Sequence, residues 1–203
     1  MKMKRKIIAT GIVFLFCFAS LTIAKGGEKM ISYSFSVPEL AIEKYDEEYI
    51  ELKIDGSSYL MNDGYPVLPK ISKTFEIEFG ANVKSIDVFA RNIEEYRIEN
   101  EIRPSPPLLP LSLENAFYPK NSEFYSSNEI YPSSWYSYRI GCGLNDKMER
   151  VTFVTVHLFP VKYKPSESKI YFASNFEIKI RYDKPSKLTS SSSYDLVIIS
   201  PKE

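Results

Sequence analysis

The sequence predicts a mostly β protein, an antiparallel β-sandwich, on three observations. About nine short stretches alternate apolar with polar residues and are separated by turn residues, the pattern of strands that each bury one face. No stretch of about ten residues or more carries a clean 3.6-residue period. Hydrophobic residues supply 44% of the chain and aromatic residues 14%, which excludes disorder as the default and is enough for a core.

The chain opens with the basic stretch Met1 to Lys6, followed by an apolar run from Ile7 that closes on Thr22-Ile23-Ala24. Small residues at the last and third-last positions, then polar Lys25-Gly26-Gly27-Glu28, mark residues 1–24 as a secretory signal cleaved after Ala24. The competing reading is an uncleaved anchor, because about 18 apolar residues just span a bilayer. The cleavage pattern favours the signal, and with it a secreted, extracellular protein that meets membrane only through this peptide. Basic and acidic residues number 26 each, and the signal removes four of the basic ones. What remains is slightly acidic, with no electrostatic footprint for nucleic acid. With Cys17 in the signal, Cys142 stands alone and no intramolecular disulfide is expected.

Residues 25–183 are expected to form the sandwich. Ile31 to Val37 alternates without a fault and stops at Pro38, a strand at an edge or surface. The pattern loosens from Glu39 to Glu48, and Tyr49 to Ile54 alternates again with Ile50, Leu52 and Ile54 inward. Then comes Asn62-Asp63-Gly64-Tyr65-Pro66-Val67-Leu68-Pro69-Lys70, where Asp63-Gly64 is a turn signal and both prolines forbid helix and favour extended backbone. The chain enters the next strand straight: Ile71, Phe75, Ile77 and Phe79 face one way and Ser72, Thr74, Glu76 and Glu78 the other. Val83 to Ala90 and Tyr96 to Ile102 supply two more strands.

Arg103 to Ser112 holds four prolines, so it is barred from an inner strand and is expected to lie extended on the surface. Ser112 to Ala116 is expected to make a single helical turn, and the tyrosine- and serine-rich stretch from Tyr118 to Tyr138 to cover a sheet edge. Trp135 to Cys142 resumes alternation. Val151 to Phe159 is the most continuous apolar run, which predicts a central strand covered on both sides and ended by Pro160. Ile170 to Phe172 and Phe176 to Tyr182 are the last two strands. Residues 184–193 form a serine-rich linker, and the unbroken run Leu196 to Ile199 has the character of a buried parallel strand. Residues 194–203 are therefore expected to be the first strand of a truncated α/β domain, the chain being the front part of a longer precursor.

Three motifs then carry a resemblance. Gly64-Tyr65-Pro66-Val67-Leu68-Pro69-Lys70 running into Phe75-Glu76-Ile77-Glu78-Phe79-Gly80-Ala81-Asn82-Val83, and later Leu158-Phe159-Pro160-Val161-Lys162-Tyr163-Lys164-Pro165, resemble the propeptide domain of gingipain-type cysteine peptidases. Tyr194-Asp195-Leu196-Val197-Ile198-Ile199-Ser200-Pro201 is similar to the first strand of the catalytic domain in those precursors. Its structural motif positions here are Gly64, Pro66, Leu68, Pro69, Pro160, Tyr163 and Pro165. The resemblance implies an intramolecular inhibitor and folding aid whose partner, in cis, is the cognate cysteine peptidase catalytic domain. Gingipain-type enzymes cut after Arg or Lys, which makes Arg103 the first candidate, and Arg139 the second, for a side chain that enters the peptidase's primary pocket. Lys184 and Lys187 in the linker are candidate maturation sites, since an exposed Ser/Pro-rich segment is easily cut. The alternative from another class is an extracellular β-sandwich binding or adhesion module with tyrosines as its contact surface.

No catalysis is expected of the chain itself. A cysteine peptidase needs a thiolate and a histidine that meet, and beyond the signal only Cys142 and His157 are available, both at core or edge positions of strands. The family's catalytic pair lies in the domain after the propeptide, and no His-Gly motif stands in this chain. One histidine and one cysteine do not build a zinc site, and Asp46-Glu47-Glu48 lacks the spaced oxygens of a calcium loop. With no glycine-rich loop opening a helix, no nucleotide and no other cofactor is expected.

Overall fold

The computed structural model describes residues 27–107 and 120–185. The signal with Ala24, the helical turn at 112–116, Lys187, the linker beyond Pro185 and the strand at 194–203 all lie outside the described residues. Eleven strands and one short helix follow in order: β1 (Glu28–Ser36), β2 (Leu40–Lys44), β3 (Tyr49–Ile54), β4 (Ser58–Leu60), β5 (Leu68–Glu78), β6 (Asn82–Arg97), β7 (Glu101–Ile102), α1 (Ser122–Tyr125), β8 (Tyr136–Leu144), β9 (Arg150–Leu158), β10 (Val161–Lys164) and β11 (Lys169–Asp183). Among the described residues no helix is long and apolar enough to cross a membrane.

Two four-stranded sheets make the sandwich. In the first, β11 is the spine: β6 runs antiparallel along its whole length, from Lys169↔Arg97 to Asp183↔Asn82. Its other edge is shared, β1 taking Asn175 to Asp183 and β10 taking Lys169 to Phe172. The second sheet has the order β4-β5-β9-β8, antiparallel throughout. A smaller sheet, β2-β3-β7, pairs β3 with β7 in parallel.

Alternation decides what is buried. Phe176, Ile178 and Ile180 of β11 and Val154, Val156 and Leu158 of β9 are at most 1% exposed and face each other across the core. β1 lies over β5, where the Tyr33 and Phe75 rings meet edge to face at 5.6 Å and the Lys73 ammonium sits 4.0 Å from the Phe35 ring centroid. β6 lies over β8, joined by the Tyr136 hydroxyl donating to the Ile86 carbonyl at 3.1 Å. Each sheet thus shows the other an apolar face, the geometry of an aligned sandwich.

Expectation and structure part at several places. β9 is central as its composition predicts, but only its even positions are buried; Thr155 and His157 look outward. Phe153 also looks outward and is half-buried because it lies over bare backbone: a Cβ on Gly143 would come within 3.1 Å of its ring. The two strands expected across residues 83–102 are one long β6 with a short β7 after it. Asn92, at φ 50°, absorbs the irregularity opposite Ser174 and lets the strand continue. Likewise Ile170 to Phe172 and Phe176 to Tyr182 are one strand. β2, β4, β10 and α1 have too few residues to show a period and are held by their partners.

Candidate functional site

Gly64 sits at φ 75°, in the left-handed region that only glycine enters freely, and this sets the course of the chain into Tyr65 and Pro66. The backbone of that turn is then used four times. Gly64 N–H donates to the Ser105 carbonyl at 3.0 Å, Ser105 N–H to the Tyr65 carbonyl at 2.7 Å, Val67 N–H to the Arg103 carbonyl at 3.0 Å, and Asn121 N–H to the Gly64 carbonyl at 3.1 Å. The proline-rich segment before position 107 and the chain re-entering at 120 are therefore clamped to one dipeptide. Pro66 bridges to Pro104, Val67 is buried, and buried Leu68 and Pro69 start β5.

The second motif arrives at the same place. The Tyr65 ring stands 5.0 Å from those of Phe124 and Tyr131. Tyr131 exchanges backbone hydrogen bonds with Tyr163, at 2.9 and 2.7 Å. Tyr163 is 1% exposed and meets the Tyr125 ring edge to face at 6.2 Å. Pro160 ends β9 and its carbonyl accepts from Ala173 at 2.9 Å, and Pro165 opens a 3₁₀ turn before β11. Burial raises the hydroxyl pKa of Tyr125 and Tyr163 well above the ordinary tyrosine range and that of Tyr131 to about 12. The Tyr125 hydroxyl donates to the Ile102 carbonyl at 2.6 Å and so ties α1 to β7.

Of the two candidate arginines, Arg103 stands at the foot of this clamp. Its Nε and Nη2 donate to one oxygen of Glu51 at 3.1 and 2.7 Å, with the two side chains only 20% and 16% exposed. Its guanidinium also lies 5.0 Å from the Tyr45 ring centroid. Together with Tyr45, Asp46, Tyr49, Pro104 and Pro106 it lines a pocket of about 260 Å³. Arg139 lies apart, exposed on the outer face of β8 opposite Thr155. Lys184 is exposed just past β11, its N–H donating to the Gly27 carbonyl at 3.1 Å.

Cys142 and His157 do not meet. Cys142, exposed on the edge strand β8, pairs in register with Thr152, its Sγ 3.6 Å from the Thr152 hydroxyl, whereas His157 is five residues further along β9 on the opposite face. That spacing is about 17 Å of strand. Among the described residues no three His, Cys, Asp or Glu side chains converge as metal ligands would.

A sequence model of the family described as Propeptide_C25 matches residues 30–198. A solved complex of Porphyromonas gingivalis RgpB pro- and mature domains has the same fold at a TM-score of 0.61 and 13% identity, covering 85% of this chain and 90% of that one. A structure bearing on the zymogenic latency of gingipain K from Porphyromonas gingivalis superposes with a TM-score of 0.60 at 17% identity, covering 84% of this chain and 96% of that one. No curated protein matches the sequence.

Proposed function

The chain belongs to the Propeptide_C25 family, and from that premise we propose that it keeps a gingipain-like cysteine endopeptidase inactive within one precursor, and assists that domain's folding. The observation that carries the reading is the clamp on Gly64 and Tyr65. Residues 103–105 on one side and Asn121 on the other are fastened to the same turn. A peptide that occupies a protease cleft as substrate does must be extended and pre-ordered, because ordering it during binding costs affinity. Prolines 104, 106 and 107 and the hydrogen bonds to Gly64 and Tyr65 supply that order beforehand.

The match is to the propeptide and not to a catalytic domain, and the separation of Cys142 from His157 supports a chain that inhibits without hydrolysing. RgpB is described with its pro- and mature domains in complex, and by analogy the partner here is the cognate catalytic domain. Arg103 serves the contact from its base, and export through cleavage after Ala24 places it outside the cell. Purified residues 25–193, added to the active cognate peptidase, are expected to inhibit it reversibly, with inhibition lost when the Gly64 turn is disturbed by Gly64→Val. A peptidase indifferent to saturating propeptide sinks the proposal.

A further inference from the structure

The outer face of the β5-β9-β8 ladder takes no part in the clamp on Gly64 and Tyr65. His157, the single histidine of the chain, stands between Ser72 of β5 and Ser137 of β8 in register. Its Nδ1 lies 2.8 Å from the Ser72 hydroxyl. On one diagonal is Lys70, two residues before Ser72; on the other is Arg139, two residues after Ser137. Diagonal neighbours on a sheet face are within reach of long side chains, at about 7–8 Å. Next to them Thr74 and Thr155 share a hydrogen bond at 3.0 Å, and Ser58 pairs in register with Lys70.

Neither Lys70 nor Arg139 has a side-chain ion pair or hydrogen bond among the described residues, in a chain where most other sheet cations do: Lys29 with Glu78, Lys53 with Glu43, Lys84 with Asp183 and Arg181 with Asp87. The outward carboxylates of β5, Glu76 and Glu78, lie toward the far end, held by Asn145 and Lys29. Two cations without ion pairs thus flank the imidazole and the Ser72 hydroxyl from opposite corners of the ladder, with no carboxylate among the register neighbours of His157.

We infer that Lys70, Ser72, His157 and Arg139 form a site for a tetrahedral oxyanion, inorganic phosphate or a phosphate monoester. Donors arriving from several directions suit an ion with three or four acceptor oxygens, and the Arg139 fork engages two of them at once. With the Ser72 hydroxyl donating to Nδ1, neutral His157 keeps Nε2–H for the anion; once protonated, it donates from both nitrogens and the Ser72 hydroxyl is freed to donate as well. Burial lowers the imidazole pKa, and the charges of Lys70 and Arg139, the charged groups flanking it on β5 and β8, lower it further. A bound anion opposes the latter, so binding takes up a proton and strengthens on acidification, by at most about tenfold per pH unit while His157 titrates.

The lone imidazole Hε1 signal of the purified chain reports the site directly by proton NMR. Added phosphate is expected to shift it saturably, half-saturating below about 10 mM near pH 6, and to raise its titration midpoint further than sodium chloride at equal ionic strength, which only screens Lys70 and Arg139. The double variant Lys70→Gln/Arg139→Gln, both outward-facing and tolerable to the fold, is expected to bind at least about tenfold more weakly, with Lys84→Gln on the other sheet as the unaffected control. Sedimentation with phosphatidylcholine vesicles containing phosphatidic acid, lost in the double variant, assigns a lipid headgroup as the source; a phosphate shift without sedimentation assigns free phosphate. An equal response to chloride, no response to phosphate, or a response undiminished in the double variant overturns the site. Inhibition of the peptidase, measured on the single variant Lys70→Gln, is expected to be unchanged, so the two proposals stand or fall separately.

Discussion

Arg103 gives its guanidinium to Glu51, and that one ion pair separates two roles for it. If the arginine left Glu51 to enter a peptidase pocket, releasing it with Glu51→Gln would leave inhibition intact or improve it. If it holds the foot of the clamp, Glu51→Gln and Arg103→Ala weaken inhibition alike. The second is the expected outcome, because the pair is four-fifths buried and donates twice; thermal or urea unfolding of either variant should show a loss of about 1–3 kcal/mol. Tyr125 and Tyr163 make a different kind of prediction. Their hydroxyls ionise at higher pH in the folded chain than in the unfolded one, so the stability they contribute is complete below the ordinary tyrosine range near 10 and declines as pH rises above it. Urea unfolding from about pH 9 to about pH 11 should show falling stability, and Tyr163→Phe should flatten the fall by up to about 1.4 kcal/mol per pH unit.

Among the elements, α1 is the shortest that matters. Four residues form it, the Asn121 side chain accepting from Phe124 N–H at 3.0 Å, and it delivers both Phe124 and Tyr125 to the core. Asn121→Ala should cost about 1 kcal/mol by urea unfolding and should disturb the Asn121 contact with Gly64 less than Gly64→Val does. No sequence pattern announces this helix, since two buried aromatic residues in four do not make a period. β1, β3 and β9 are legible because one face is polar and the other apolar, and the outer face of β9 reads as covered because Phe153 lies against Gly143 of β8. β6 reads as two strands in the sequence because Asn92 breaks its alternation while β11 pairs with it on both sides. The motif prolines were legible as stiff, extended backbone. That Tyr65 and Tyr163 reach one aromatic cluster was not, because Tyr131, which joins them, belongs to neither motif.

At the scale of the molecule the two sheets share one core, with Ile178 at its middle and 0% exposed. Ile178→Ala should remove about 2–5 kcal/mol, read as a lower urea midpoint in a single transition, because cavity loss beneath the spine strand is felt by both sheets. Four of the eight strand pairings join distant parts of the chain, β1 with β11, β6 with β11, β3 with β7 and β5 with β9, and such topologies fold slowly, in milliseconds to seconds.

One pairing at the margin of the first sheet governs how the domain answers to tension. Glu28 and Asp183 stand side by side as the last paired residues of an antiparallel ladder, followed only by the Lys184–Gly27 hydrogen bond. A tug applied between them does not slide β1 along β11 against all its hydrogen bonds together. It parts them rung by rung, like a zip, so the domain yields to a small mechanical load at its ends while resisting heat and denaturant as a unit.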